Sequence, residues 1–163
     1  DKMLNSMHFA DSCIGRVIES LKSSGEWDRT LVVIIADHAY LYPYGISASA
    51  VERHRIPMLW LGGALKEAGI VDCYCSQTDL AATLLSQLGI DKSRFTMSRD
   101  IFDSGLAKFG YYTFNNGFGV VDSSGKTIYD CTTESVISEE NEAEKVTVGK
   151  TMLQSTYKII KQL

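Results

Sequence analysis

Asp37 and His38 stand side by side at the end of an apolar run, Leu31-Val32-Val33-Ile34-Ile35-Ala36. A divalent metal takes carboxylate oxygen and neutral imidazole nitrogen when both are held rigidly. Consecutive residues of a strand point to opposite faces, so both reach one ion only where the strand ends and the backbone turns. The pair occupies such a place. It offers two of the roughly four ligands that a tetrahedral ion needs, which makes it half a site. The plainer alternative is a turn aspartate beside a histidine satisfied by its neighbours.

The elements around the pair follow from periodicity. An unbroken run rich in β-branched residues predicts a strand covered on both faces, as in a parallel sheet. Open α/β sheets hold their active sites at the carboxyl ends of such strands. Upstream, Leu4, Met7, Ile14, Val17, Ile18 and Leu21 make one helical stripe over residues 3–23, with Gly25 as the stop. His8 lies beside that stripe and is expected to pack. Downstream, residues 39–55 form a long loop whose tyrosines, Tyr40, Tyr42 and Tyr44, either line a groove or pack the loop. Met58-Leu59-Trp60-Leu61 predicts a second buried strand closed by a turn at Gly62-Gly63, and Ile70–Tyr74 a short third one. Gln77–Leu88 is a helix, with Ser76 or Thr78 as its cap and Gly89 as its end. After residue 90 the pattern changes. Phe109–Phe114 is β-prone, and Phe118–Asp122 and Lys126–Cys131 flank Ser123-Ser124-Gly125 as a hairpin. Residues 133–145 are acidic and expected to be solvated, and a last helix spans about 145–162.

The bulk numbers exclude several classes. A net charge of −4 and a pI near 5.3 argue against a nucleic-acid partner, and no basic patch with interleaved aromatics exists. No run of 18 apolar residues occurs, so the expectation is a soluble piece. The first residues, Asp1-Lys2, carry no initiator Met, which leads to the expectation of a piece of something longer. Of the four cysteines, Cys13, Cys73, Cys75 and Cys131, the middle two lack the spacing of a zinc knuckle. All are expected to be small buried hydrophobes, with a bridge from Cys73 or Cys75 to Cys131 left open.

Three ordered blocks carry a resemblance. They are Asn5–Asp11 with Trp27–His38, then Arg53-His54-Arg55-Ile56-Pro57 running into Met58–Gly63, then Ser76-Gln77-Thr78-Asp79 running into Leu80–Gly89. Together they resemble the second half of a sulfatase-type catalytic domain of the alkaline phosphatase superfamily, in the lipoteichoic acid synthase (phosphoglycerol transferase) branch. The implied fold class is α/β: the C-terminal part of a mostly parallel sheet sandwiched by helices (1–105), then a small antiparallel β appendage with a terminal helix (106–163).

The resemblance also assigns roles. Asp37 and His38 match the family's metal-ligand pair, for a divalent ion that is manganese, zinc, calcium or magnesium. Such an ion activates a hydroxyl-type nucleophile and polarises a phosphate or sulfate ester. His54 and Arg55 are candidates for binding the anionic ester substrate, and His54 alternatively orients its loop or stands near the metal. Ala39 replaces a glycine common in relatives. The nucleophile and its acidic companion belong to an N-terminal half not found here, so the chain is expected to be inactive alone and to self-associate through faces that half would cover. The resemblance further implies a membrane-anchored parent with its catalytic domain outside the cytoplasm. A competing expectation is a non-catalytic α/β binding or scaffold domain.

Overall fold

The structure, a computed structural model, describes residues 2–39, 45–138 and 143–162. Tyr40, Tyr42 and Tyr44 lie outside the described residues. The chain is α/β and divides into two compact units, one of residues 1–38 with 56–70 and one of residues 39–55 with 71–163. No helix of the described residues is long and apolar enough to cross a membrane.

The first unit begins with α1 (Lys2–Ser23). Gly25, at φ +74°, ends it: Glu26 N–H donates to Leu21 O (3.1 Å) and Gly25 N–H to Lys22 O (3.3 Å), a Schellman stop. A turn at Trp27–Arg29 leads to β1 (Val32–Ile35), which pairs with β2 (Met58–Leu61). The pairing is antiparallel, with Val33 opposite Trp60, which corrects the expectation of parallel neighbours. Apolar continuity reports coverage of faces and is silent on strand direction. Coverage is itself partial, since all four residues of β1 are half-buried. Half of the α1 stripe is exposed, Leu4 at 53 %, Met7 at 60 % and Val17 at 55 %, while Ile14, Ile18 and Leu21 are half-buried. His8 is exposed as well, so it does not pack as expected.

In the second unit, α2 (Asp79–Gln87) ends at Gly89 by the same hydrogen-bond pattern as α1, Ile90 N–H donating to Leu85 O at 2.9 Å. Its start differs from expectation: neither Ser76 nor Thr78 caps with its side chain. Instead Asp79 reaches back and accepts from Ser76 N–H (2.8 Å), while Ser76 Oγ accepts from Tyr111 N–H (2.8 Å). Residues 70–74 form no strand, and Ile70 is 97 % exposed. A β-prone run with nothing to pair or pack against gains nothing from extending.

The antiparallel appendage is a four-stranded meander in the order β3 (Gly110–Phe114), β4 (Gly117–Asp122), β5 (Gly125–Asp130), β6 (Ser135–Val136). Alternation sends Phe118 and Val120 of β4 to one face, where they meet Tyr129 and α3 (Ala143–Ile160) to form the core. Gly149 of α3 rests directly on the Phe118 ring. Lys145 corrects the expectation of a solvated segment, being only 3 % exposed with its ammonium on Ser124 Oγ (2.5 Å) and Asp122 Oδ1 (3.0 Å). All four cysteines are free thiols, three half-buried and Cys131 exposed, so neither full burial nor a bridge to Cys131 holds. Burial, with Cys73 and Asp79 nearby, pushes the Cys75 thiol up to about 11.

Candidate functional site

β1 delivers Asp37 and His38 one residue beyond its end, across Ala36. The backbone bends there, and His38 N–H donates to Asp37 Oδ1 at 2.9 Å. That local bond turns both side chains to one side, leaving Asp37 Oδ2 and His38 Nε2 3.6 Å apart. Two ligands of a tetrahedral ion at about 2.1 Å each are separated by roughly 3.4 Å. The donor set and its spacing therefore fit two vertices of a divalent site. Both side chains are exposed, Asp37 at 88 % and His38 at 75 %. Among the described residues no group of three or more His, Cys, Asp or Glu converges, and the pair remains two vertices only.

His54 and Arg55 belong to the second unit. His54 follows a short helical turn at Val51–Arg53 and is half-buried. Its Nε2 lies 2.9 Å from Ala48 O, and its ring stacks on Tyr112 with centroids 4.0 Å apart. These contacts hold the His54 ring against the turn at Ala48 and against β3. Burial raises the Tyr112 phenol well above its ordinary value, and its O–H donates to Ser49 O at 2.7 Å. Arg55 is exposed, and none of the ion pairs among the described residues includes it.

One charged pair escaped the sequence. Asp79, 2 % exposed, accepts from Arg99 Nε (3.1 Å), Arg99 Nη2 (2.6 Å) and the Arg99 backbone N–H (2.9 Å). The guanidinium lies 3.6 Å from the Phe109 ring centroid and donates to Phe109 O at 2.8 Å. The carboxylate accepts four hydrogen bonds, two at each oxygen, and the guanidinium spends four of its five donors on Asp79, Ala107 O and Phe109 O, which marks a structural pair and not a reactive one. Asp79 sits in the third sequence block, but nothing there points twenty residues on to Arg99.

Lipoteichoic acid synthase 2 of Bacillus subtilis (strain 168) is 27% identical over 116 residues, 60% of this chain and 17% of that protein. The multifunctional alkaline phosphatase superfamily protein PehA of Trinickia caryophylli is 31% identical over 100 residues, 56% of this chain and 19% of that protein. The chain thus spans less than a fifth of the length of either relative. The crystal structure of a protein in the alkaline phosphatase superfamily from Vibrio parahaemolyticus superposes with a TM-score of 0.71 at 21% identity, covering 94% of this chain and 40% of that one. The sulfatase family matches residues 1–90, the stretch that includes all three sequence blocks and Asp37-His38. The chain belongs to the sulfatase family, with the fold of the alkaline phosphatase superfamily.

Proposed function

We propose that this chain supplies the second half of a metal-dependent ester-cleaving or ester-transferring site, for phosphate or sulfate esters in the manner of phosphoglycerol transferases. The observation that carries it is Asp37-His38: an oxygen and a nitrogen 3.6 Å apart, exposed, at the bend after β1. Asp37 and His38 hold two vertices of a divalent ion. Manganese, zinc, calcium and magnesium all accept this donor pair. The ion supplies Lewis acidity toward the ester and toward a hydroxyl nucleophile. The other ligands and the nucleophile belong to the part of the relatives' length that this chain does not span, so the chain alone binds metal weakly and is inactive. Arg55 meets the anionic group of the substrate, where a guanidinium forks onto two oxygens. By kinship with a lipoteichoic acid synthase, the whole protein works at the outer side of a membrane.

The test is metal titration and cleavage of aryl phosphate and aryl sulfate esters by a polypeptide of the relatives' catalytic length, with and without Asp37→Ala. Manganese- or zinc-dependent cleavage that disappears with Asp37→Ala is expected. The two esters then show which anion is preferred. No binding and no cleavage in the unsubstituted long form moves the assignment to a non-catalytic scaffold, with Asp37-His38 as a turn. Exposure of both side chains means that Asp37→Ala leaves the thermal midpoint unchanged, so lost activity is not lost folding.

A further inference from the structure

We propose that His54 and Tyr112 are positioning residues for Arg55, so that the antiparallel sheet sets where the anion-binding guanidinium stands. That role rests on the ester chemistry proposed above. All the groups concerned lie in the second unit.

A closed circuit of contacts holds the backbone just before Arg55. The His54 and Tyr112 rings stack with planes within 16° and centroids 4.0 Å apart. His54 Nε2 faces Ala48 O, and a carbonyl only accepts, so Nε2 carries the hydrogen and the ring's tautomer is fixed. The Tyr112 O–H donates to the next carbonyl, that of Ser49. Adjacent carbonyls of one turn are therefore held by two stacked rings, one from the turn's own continuation and one from β3. Glu52 adds an exposed ion pair with Lys126 of β5 at 3.9 Å.

The sheet is built to receive this arrangement. Tyr112 pairs with Gly119 across β3 and β4. A Cβ at Gly119 would fall 2.1 Å from Tyr112 Cζ and 2.3 Å from its hydroxyl oxygen. The tyrosine thus lies flat over the bare backbone of its partner strand, and any side chain at residue 119 lifts it away. Nothing in the core asks for this, because the core is on Phe118 and Val120. Arg55, next in sequence to the stacked histidine, is exposed and has no carboxylate partner among the described residues. A long side chain binds an anion well only if its backbone is already placed, since otherwise ordering it opposes binding.

The test uses a polypeptide of catalytic length for kinetics and the present chain for loop order. Tyr112→Ala and Gly119→Ala are expected to raise KM for the aryl ester about tenfold with kcat within about twofold, the signature of lost uniform binding. Tyr112→Phe keeps the stack and loses one hydrogen bond, so its KM rises by only about threefold. In an Arg55→Ala background Tyr112→Ala should add almost nothing, a coupling that a merely structural role does not produce. Should Tyr112→Ala unfold by circular dichroism, His54→Gln carries the same test. Hydrogen exchange over residues 45–55 should accelerate in each variant of the 163-residue chain. Faster exchange with unchanged KM, or KM effects that add to those of Arg55→Ala, overturns the proposal. An inactive unsubstituted enzyme overturns the ester chemistry and this role with it, while the exchange data separate that failure from a failure of the clamp.

Discussion

Arg99→Met should be among the most damaging single substitutions in the second unit. It keeps an alkyl stem over Phe109 but removes Nε (3.1 Å) and Nη2 (2.6 Å) from the Asp79 carboxylate. Asp79 is 2 % exposed, so water does not replace them. Only the Ser76 and Arg99 backbone N–H groups remain as donors. Two charge-assisted hydrogen bonds are worth about 1.5–3 kcal/mol each. Removing one partner of a buried pair costs about 3–5 kcal/mol, in agreement with that sum. Loss of this size is a large share of the roughly 5–15 kcal/mol that holds a domain.

Where the loss appears is as informative as its size. Trp27 and Trp60 lie in the first unit, whereas Tyr74, Tyr111, Tyr112, Tyr129 and Tyr157 lie in the second. Urea unfolding followed by tryptophan emission reports the first unit, and tyrosine circular dichroism the second. Arg99→Met should lower the tyrosine midpoint strongly and leave the tryptophan midpoint nearly in place. Asp79→Leu with Arg99→Met, which removes both charges, should recover most of the loss. A loss below about 1 kcal/mol for Arg99→Met would refute the assignment of Asp79 as a carboxylate that depends on this cation. An equal shift in both signals would refute the separation of the two units.

Gly149→Ala should destabilise the second unit by about 1–3 kcal/mol, against alanine's own helical preference, because its Cβ would lie 1.9 Å from Phe118 Cε2; tyrosine circular dichroism on heating checks it. Acid should weaken the same unit. Burial pushes Asp122 and Asp100 up, but hydrogen bonds from Ser124 and Lys145 to the first, and from Phe102, Ser86 and Lys92 to the second, outweigh it and hold both low. A carboxyl depressed in the folded state contributes stability above its unfolded value of about 3.9, and that stability is lost as pH falls through the folded value. Denaturation midpoints measured from pH 6 to pH 2 should therefore fall below about pH 4, and less so in Asp122→Asn. Finally, Leu4, Met7, Phe9 and Val17 of α1 are each more than half exposed, so concentrated solutions of the chain should contain oligomers by light scattering, and a monodisperse monomer counts against that.

Much of this fold was legible because each signal is local. Helical period located α1 and α2, and two β-prone runs flanking Ser123-Ser124-Gly125 located the β4–β5 hairpin. The bend that brings the Asp37 and His38 side chains to one side was legible for the same reason: strand end, carboxylate and imidazole are consecutive. What stayed hidden is what depends on partners distant in sequence. Strand direction in β1–β2 is set across twenty-odd residues of connection, and apolarity carries no record of it. The contacts that tie α2 to the antiparallel sheet are Arg99 on Asp79 and Ser76 on Tyr111, the latter a pair 35 residues apart. The clamp on His54 is of the same kind. Its sequence shows a histidine between two arginines, which suggests an anion site. Its contacts show a ring spoken for by Tyr112 and Ala48, leaving Arg55 as the exposed cation beside it. A histidine committed in this way serves an anion best by holding its neighbour still, and for that reason the decisive double substitution joins Tyr112 to Arg55 and not to His54.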